Sequence, residues 1–228
     1  MPPEPSAVRD VLVTGGTGYV GRPLVEALVA RGHRVRVLCR PGSISRVPEG
    51  AAAIEGDALD PASIGRALAR GATLVELVGT PHPSPAKAAE FERIDLVSIL
   101  ASVEAARASG ASQLVYMSVA QPAPVMRAYV GVRRRGEEAI AAAGLTATIL
   151  RPWYVLGPGH RWPVVLVPIA KLLVWFPPTR AAALRLGFVS REQMVAALVR
   201  AVESPPAPGT RRVVEVPQIR ASRLDAVV

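Results

Sequence analysis

A tyrosine and an arginine stand one helical turn apart in the segment AYVGVRRRGEE, residues 128–138. If this segment is helical, Tyr129 and Arg133 share a face, because residues four positions apart are neighbours on a helix. A free phenol has a pKa of about 10, and a nearby cation favours its ionised form, so such a pair can serve as a general acid and base. Three consecutive arginines are equally typical of a solvated helix face. The spacing alone leaves both interpretations open.

A glycine-rich segment, TGGTGYVG, joins a β-branched run to a helical pattern near the start of the sequence. Glycines at intervals of three let the backbone turn sharply and approach a ligand. The N-terminus of the following helix supplies free N–H groups and the positive end of a dipole, which together suit a pyrophosphate. The segment therefore predicts a dinucleotide site whose candidate residues are Gly15, Thr17, Gly18, Tyr19 and Val20.

Short apolar runs alternate with amphipathic segments of helical length along most of the chain. Strands are predicted in DVLVTGG, HRVRVLCR, AAAIEGD, ATLVELVG, SQLVYMSV, LTATILRP and RRVVEV, and helices between them. This alternation predicts an α/β fold, a doubly wound parallel sheet with right-handed crossovers. We expect a nucleotide-binding core over residues 1–151. Residues 152–228 are expected to form a small substrate or cap region that is integral to the same domain.

The chain has 228 residues and a formal charge of +9, but its basic residues are scattered and nearly all are arginine. No helix-turn-helix or zinc-finger spacing occurs, so no nucleic acid is expected as a partner. The single cysteine, Cys39, excludes an internal disulfide and a cysteine-rich metal site, and no metal is expected. The first ten residues lack the basic start and apolar core of a signal peptide, which predicts a cytoplasmic protein.

The longest apolar run, residues 163–176, is interrupted by a proline and a lysine and is shorter than a membrane span. We consider three roles for it, in decreasing order of preference. It could cover an apolar substrate pocket, form a homodimer surface, or make a peripheral membrane contact.

The glycine segment resembles the TGxxGxxG signature of extended and atypical short-chain dehydrogenases/reductases, including NmrA-like and NAD-dependent epimerase/dehydratase-like proteins. The resemblance continues in order through RGHRVRVLCR, EGDALD, SGASQLVYMSV and AGLTATILRPWYVLGPG, covering about residues 8–160. It implies a Rossmann fold that binds NAD(P)(H). It also implies that Asp57 and Ala58 lie near the adenine, and that Val78 and Gly79 lie beneath the middle of the cofactor.

The end of the second strand faces the adenosine ribose in this fold. An acidic residue there would bind the 2′-hydroxyl of NAD, whereas an arginine accommodates the 2′-phosphate of NADP. The chain has Arg40 at this position and Ser43 nearby. A guanidinium can hold a phosphate through two parallel hydrogen bonds. The sequence therefore favours NADP over NAD.

Family members that reduce carbonyls use a serine, a tyrosine and a lysine four residues after the tyrosine. The resemblance places Ser118 and Tyr129 at the first two positions, and Arg133 where the lysine is expected. An arginine supplies positive charge but cannot release a proton, so it cannot join a proton relay. Helical spacing also predicts surface ion pairs between Arg133 and Glu137 and between Arg134 and Glu138.

The segment RPWYVLGPGHRWP, which would pass over the nicotinamide, is rich in aromatic residues. Trp153, Tyr154 and His160 are candidate contacts for a flat or apolar substrate. Two functions remain open. One is an NADP-dependent oxidoreductase acting on a small apolar carbonyl or quinone-like compound. The alternative is a non-catalytic NADP(H)-binding redox sensor or assembly protein, because the glycine segment is intact while the catalytic set is incomplete.

Overall fold

The computed structural model describes residues 7–158 and 185–224. Within these residues a seven-stranded sheet has the order β3-β2-β1-β4-β5-β6-β9, and every neighbouring pair is parallel. The strands are β1 Asp10–Thr14, β2 Arg34–Cys39, β3 Ala52–Glu55, β4 Thr73–Glu76, β5 Gln113–Met117, β6 Ala147–Arg151, β7 Tyr154–Leu156, β8 Phe188–Ser190 and β9 Arg211–Glu215. β7 and β8 form a separate parallel ribbon. The predicted doubly wound parallel sheet is confirmed.

The helices cover both faces of this sheet. They are α1 Gly21–Ala30, α2 Pro61–Ala67, α3 Ala88–Glu90, α4 Val97–Ser109, α5 Arg127–Ala142, α6 Arg191–Glu203 and α7 Val216–Ala221. A π-helical segment, Phe91–Leu96, joins α3 to α4. Local capping sets several ends: Asp60 accepts two backbone N–H bonds at the start of α2, and Gly110 ends α4 with a φ of 63°.

Two apolar clusters hold the layers together, one on each face of the sheet. Val11 and Val13 of β1 pack in the cluster that contains α1 and α6, whereas Leu12 packs in the cluster that contains α4 and α5. Successive side chains of a strand point to opposite faces, so the two clusters share the same strands. Because both faces are covered, the central strands are mostly apolar, with a few buried polar residues such as Thr14 and Glu76.

The region after residue 152 contributes to these layers. β9 pairs with β6 as the outer strand of the sheet, and the buried face of α6 packs in the same cluster as α1. The segment between β7 and β8, with the apolar run 163–176, lies outside the described residues. The division into a core and a cap therefore stays a prediction. No helix within residues 7–158 and 185–224 is long and apolar enough to cross a membrane.

All strands of the sheet run the same way, so the segments that follow them meet at one edge. The strand order reverses between β1, which leads towards β2 and β3, and β4, which leads towards β5 and β6. In open α/β sheets the crevice outside this switch point is where ligands bind.

Candidate functional site

The glycine segment forms a tight turn between β1 and α1. Gly15 has a φ of 73°, and a Cβ on it would lie 2.8 Å from the carbonyl of Leu77. A Cβ on Gly21 would lie 2.1 Å from the carbonyl oxygen of Gly15. Side chains are thus excluded from both positions, because the backbone of the turn packs closely on itself and on the segment after β4.

The first turn of α1 is open to an anion. Its N-cap residue, Val20, makes no side-chain capping bond, and no acidic residue lies in the first turn. The backbone N–H of Arg22 donates to the Gly18 carbonyl at 3.0 Å and Pro23 has no N–H, so the first turn offers an anion mainly the positive end of the helix dipole. The ring of Tyr19 lies under the guanidinium of Arg191, 5.4 Å from its centroid, so α6 contacts the turn directly.

A basic and hydroxyl-bearing cluster follows β2. Arg40 is exposed and caps a short 3-10 segment in which Ser43 is buried. The Nη2 of Arg46 donates to the Ser43 Oγ at 2.6 Å. Two guanidinium groups and a hydroxyl are therefore carried by the segment that faces the adenosine ribose in this fold.

Asp57 lies after β3 and is exposed. Its Oδ1 accepts a hydrogen bond from the backbone N–H of Leu59 at 2.9 Å, so the side chain stabilises the turn, and Asp60 caps α2. Ala58 is partly buried against the second apolar cluster. An adenine contact by Asp57 stays a prediction.

Val78 and Gly79 follow β4 and lie next to the glycine turn. Gly79 is exposed, and a Cβ on it would lie 2.6 Å from the Arg133 Nη2, so the backbone is packed closely on that guanidinium. The backbone N–H of Val78 donates to the buried Glu76 carboxylate at 3.1 Å. The Val78–Gly79 segment therefore packs on the buried side chains of Arg133 and Glu76.

Arg133 is buried, with 2% of its side chain exposed, and its guanidinium binds several groups. Nη2 lies 2.5 Å from the Asp95 Oδ1 of the π-helical segment, and Nη1 donates to the Met117 carbonyl at 3.2 Å. Thr80 donates its backbone N–H and its hydroxyl to the other Asp95 oxygen. The predicted surface pair with Glu137 is wrong, because burial gives Arg133 a carboxylate from a different helix.

The ring of Tyr129 packs against the Arg133 guanidinium of this ion pair. This ring meets the ring of Phe91 edge to face at 5.0 Å, and the Arg133 guanidinium lies 5.1 Å from its centroid. The side chain is half-buried, as suits a residue that meets a ligand from a packed position. Tyr116 lies 5.7 Å from the same guanidinium but is fully buried, and burial raises the pKa of its phenol.

Ser118 does not present a free hydroxyl. Its Oγ donates to the Glu137 Oε1 at 2.5 Å, and 3% of the residue is exposed. The same carboxylate accepts hydrogen bonds from Gln121 and from Arg151, whose Nη1 also donates to Glu215 at 3.0 Å. Arg151 and its two carboxylates link α5, β6 and β9, and the bond to Glu137 raises the pKa of Arg151.

Replacing Ser118 with alanine is expected to lower the free energy of unfolding by about 1 kcal/mol, since one buried hydrogen bond is lost while Glu137 keeps its other donors. We expect nucleotide affinity to stay within about twofold. Denaturant unfolding and fluorescence titration measure the two quantities, with Ser112→Ala as the control because Ser112 is exposed before β5. A loss of turnover of about a hundredfold or more at unchanged stability would instead mark a catalytic hydroxyl.

The candidate substrate residues are only partly described. Trp153 packs against the first apolar cluster, and the Tyr154 ring contacts Phe188 edge to face at 6.2 Å. Both contacts stabilise the β7–β8 ribbon. His160 lies outside the described residues. In the part of the chain that the structure describes, no group of three or more His, Cys, Asp or Glu side chains could hold a metal ion.

Sequence reasoning missed the acidic residues of this site. Glu76 and Asp95 are both fully buried, and Glu137 is nearly so. Glu76 interrupts the apolar strand ATLVELVG, and an acidic residue inside a buried strand is a signal that could have identified it. Asp95 and Glu137 lie in amphipathic patterns where a charge is unremarkable, so no comparable signal existed for them.

The glycine turn, the open helix terminus and the switch-point crevice define a dinucleotide-binding α/β protein. The family model described as NAD(P)H-binding matches residues 15–171. The chain is 32% identical over 199 residues to the ceramide reductase of Caulobacter vibrioides, covering 86% of this chain and 61% of that protein. It is 33% identical over 175 residues to the 3-diazoavenalumate denitrifying reductase of a Streptomyces species, covering 65% of this chain and 57% of that protein.

Among solved structures, a short-chain dehydrogenase/reductase superfamily protein of Agrobacterium tumefaciens with bound NAD matches with a TM-score of 0.65 and 19% identity. The match covers 93% of this chain and 82% of that one, and it shows the fold. The chain belongs to the NAD(P)H-binding family. Its cofactor is a nicotinamide dinucleotide. The chain spans 61% and 57% of the length of the two relatives above.

Proposed function

We propose that this protein is an NADP(H)-dependent reductase of a small apolar carbonyl or quinone-like compound. The observation that carries the proposal is the position of Tyr129. Its ring lies against the guanidinium of a buried ion pair, at the same edge of the sheet as the tightly packed glycine turn. The bound cofactor supplies a hydride. Two relatives are named as a ceramide reductase and a 3-diazoavenalumate denitrifying reductase, and these names support a reduction as the reaction of this chain.

In this proposal the chain contributes binding, orientation and one proton. The glycine turn and the positive end of the α1 dipole bind the pyrophosphate, and Gly15 and Gly21 allow the turn to pack closely on itself and on the Leu77 backbone. Tyr129 donates a proton to the reduced substrate through its hydroxyl. Arg133 is a positioning residue, because its guanidinium is bound to Asp95 and stands against the tyrosine ring. It carries positive charge without relaying a proton.

We further infer a preference for NADPH from the cluster after β2. Arg40→Ala is expected to weaken NADPH binding about tenfold while changing NADH binding less than about twofold, because a charge-assisted bond to phosphate contributes about 1.5–3 kcal/mol. Fluorescence titration with both nucleotides measures the ratio. Arg34→Ala is a matched control, since Arg34 lies at the other end of β2 and is exposed. Equal weakening of both nucleotides would remove the preference.

A second candidate function is a nucleotide-binding sensor or assembly protein without turnover. The specific observation in its favour is that the hydroxyl of Ser118 and the guanidinium of Arg133 are both bound to buried carboxylates. In that case Tyr129 would pack against the cofactor without exchanging a proton with a substrate.

The two functions are separated by one series of measurements. Tryptophan fluorescence first gives the affinities for NADPH and NADH. Consumption of NADPH is then followed at its own absorbance with a panel of apolar ketones, aldehydes and quinones. Turnover with any member supports the reductase, and tight binding without turnover across the panel supports the sensor. Absence of binding by either nucleotide would contradict both.

A further inference from the structure

Glu76 is the last residue of β4 and is fully buried. Its side chain lies in the layer between the sheet and α4. Three groups contact its carboxyl: the Thr14 hydroxyl, the Ser102 hydroxyl at 3.1 Å, and the backbone N–H of Val78 at 3.1 Å. These groups belong to β1, to α4 and to the segment after β4. No step of the proposed reaction uses this carboxyl.

The protons available to these contacts can be counted. A hydroxyl has one proton, and the Thr14 Oγ1 lies within hydrogen-bond distance of both the Val75 carbonyl, at 3.3 Å, and the Glu76 Oε2. The hydroxyl can donate to either oxygen, so with an ionised Glu76 only one of these two contacts can be a hydrogen bond. With a protonated Glu76 both can be, because the carboxyl then donates to Thr14 while Thr14 donates to the Val75 carbonyl. A protonated Glu76 satisfies every contact: it donates to Thr14 and accepts from Ser102 and Val78.

The hydrogen-bond partners of Glu76 lie next to the residues that are expected to bind the cofactor. Thr14 immediately precedes Gly15, and Val78 immediately precedes Gly79. The two segments already touch, because the backbone N–H of Leu77 donates to the Thr14 carbonyl at 3.2 Å and a Cβ on Gly15 would meet Leu77. Glu76 therefore links the starts of two segments, the glycine turn that begins at Gly15 and the Val78–Gly79 segment.

We propose that Glu76 is a neutral carboxylic acid that acts as a positioning residue, fixing the glycine turn against the Val78–Gly79 segment in the geometry that binds the dinucleotide. The proposal rests on the proposed function only through nucleotide binding. Ionisation of Glu76 would remove its donor to Thr14 and leave a charge in an apolar layer. Ionisation would therefore weaken nucleotide binding, although the residues expected to contact the nucleotide would be unchanged.

The charged surroundings are consistent with the neutral form. Burial raises the pKa of Glu76, while the Thr14 hydroxyl, the charge of Arg133 and the hydroxyls of Ser102 and Ser98 act in the opposite direction. The Arg133 charge is offset by Asp95, with which it forms a buried pair. Tyr116 is the remaining titratable group that faces Glu76, and burial keeps its phenol neutral.

Glu76→Gln is the first variant of the test, because an amide can donate to Thr14 and accept from Val78 as the protonated acid does. We expect its NADPH and NADH affinities to stay within about twofold of the unaltered chain near pH 7. Glu76→Leu keeps the size but removes the bonds, and we expect affinities weakened about tenfold or more. Thr14→Val removes the partner hydroxyl without altering Glu76 and should weaken both nucleotides in the same direction. It therefore provides the test if Glu76→Leu does not fold.

Glu137→Gln is the matched control, since Glu137 is a second buried carboxylate but is paired with Arg151. We expect this variant to lose stability, because amide substitution removes the more buried of the two carboxylates of Arg151 and leaves Glu215 as its remaining counter-charge. A difference infrared spectrum of the unaltered chain minus Glu76→Gln should show the carbonyl band of a protonated carboxylic acid. That band is independent of nucleotide binding and of turnover.

The linkage between protonation and stability gives a further readout. A pKa that is higher in the folded chain than in the unfolded chain stabilises the fold at low pH, and this stabilisation is lost as the pH rises through the folded value. The unaltered chain should therefore lose stability relative to Glu76→Gln as the pH rises above the ordinary pKa of a glutamate and through the raised pKa of the folded chain, and its nucleotide affinity should fall over the same range.

Each contrary result is informative. A carboxylate band in place of the acid band, or a Glu76→Gln variant as impaired as Glu76→Leu, would overturn the neutral form. Unchanged nucleotide affinity in both folded Glu76→Leu and Thr14→Val would overturn the positioning role. If the unaltered chain binds neither nucleotide, the proposed function and the positioning role both fail. The infrared and pH measurements then still decide whether the acid is neutral.

Discussion

Replacing Arg133 with methionine is expected to lower the free energy of unfolding by about 3–5 kcal/mol. The substitution removes the partner of Asp95, which has no exposed surface and would remain as an uncompensated buried charge. It also removes the donors to the carbonyls of Met117 and Val78, which lie at the ends of two neighbouring strands. Denaturant unfolding monitored by tryptophan fluorescence and circular dichroism measures the loss.

Two further variants separate the ion pair from the general effect of losing an arginine. Arg134→Met is the neighbouring control: Arg134 makes an exposed pair with Glu138, at 3.5 Å, and should change stability by less than about 0.5 kcal/mol. The double variant Asp95→Asn with Arg133→Met removes both charges, so we expect it to recover part of the lost stability. A single Arg133→Met variant as stable as the Arg134 control would contradict the buried ion pair.

Arg133→Lys tests a different property of the same position. A lysine restores the residue expected from the family resemblance, and its ammonium is a compact charge without the planar fork of a guanidinium. It cannot reach Asp95 and the Met117 carbonyl together in the way that Nη2 and Nη1 do. We expect stability between that of the unaltered chain and that of Arg133→Met. A rise in turnover with the lysine would show that the arginine had limited the proton transfer.

Tyr129→Phe is expected to lower kcat by about a hundredfold to ten-thousandfold while leaving NADPH affinity within about twofold. The reason is that the ring packing on Phe91 and on the Arg133 guanidinium is kept, whereas the hydroxyl that would supply the proton is removed. The assay is consumption of NADPH with the best substrate of the carbonyl and quinone panel, alongside fluorescence titration of the nucleotide.

Tyr116→Phe is the matched control for this substitution. Tyr116 lies by the same guanidinium, but it is fully buried on β5 and cannot meet a substrate, so kcat should be unchanged. If Tyr129→Phe retains full turnover while the nucleotide still binds, Tyr129 is not the proton donor. If the unaltered chain binds nucleotide without turnover and Tyr129→Phe behaves identically, the sensor function is favoured.

The strand and helix pattern could be predicted because it depends on neighbours along the chain. An apolar run such as SQLVYMSV has few outcomes other than a buried strand, and β5 forms there. The glycine turn is equally local, since the spacing of Gly15 and Gly21 reflects contacts within the turn and with the next strand. The right-handedness of parallel crossovers limits the strand orders that are possible, and the structure gives the order.

The partners of the charged residues could not be predicted in the same way. Helical spacing pairs Arg134 with Glu138 correctly, because both are exposed and the helix alone brings them together. It pairs Arg133 with Glu137 incorrectly. Both residues are buried, and each takes a partner from another element: Asp95 lies 38 positions from Arg133, and Arg151 lies 14 positions from Glu137.

By itself the sequence determined the α/β fold, the glycine turn and the edge of the sheet where the site lies, because local periodicity and backbone sterics specify them. Only the tertiary structure decided which of the site's groups are free to act. It binds Ser118 and Arg133 to buried carboxylates, leaves Tyr129 half-buried above the ion pair, and encloses Glu76 among hydroxyls. The physical reason is that a charge removed from water takes the best partner available in space, and distance along the chain does not limit that choice.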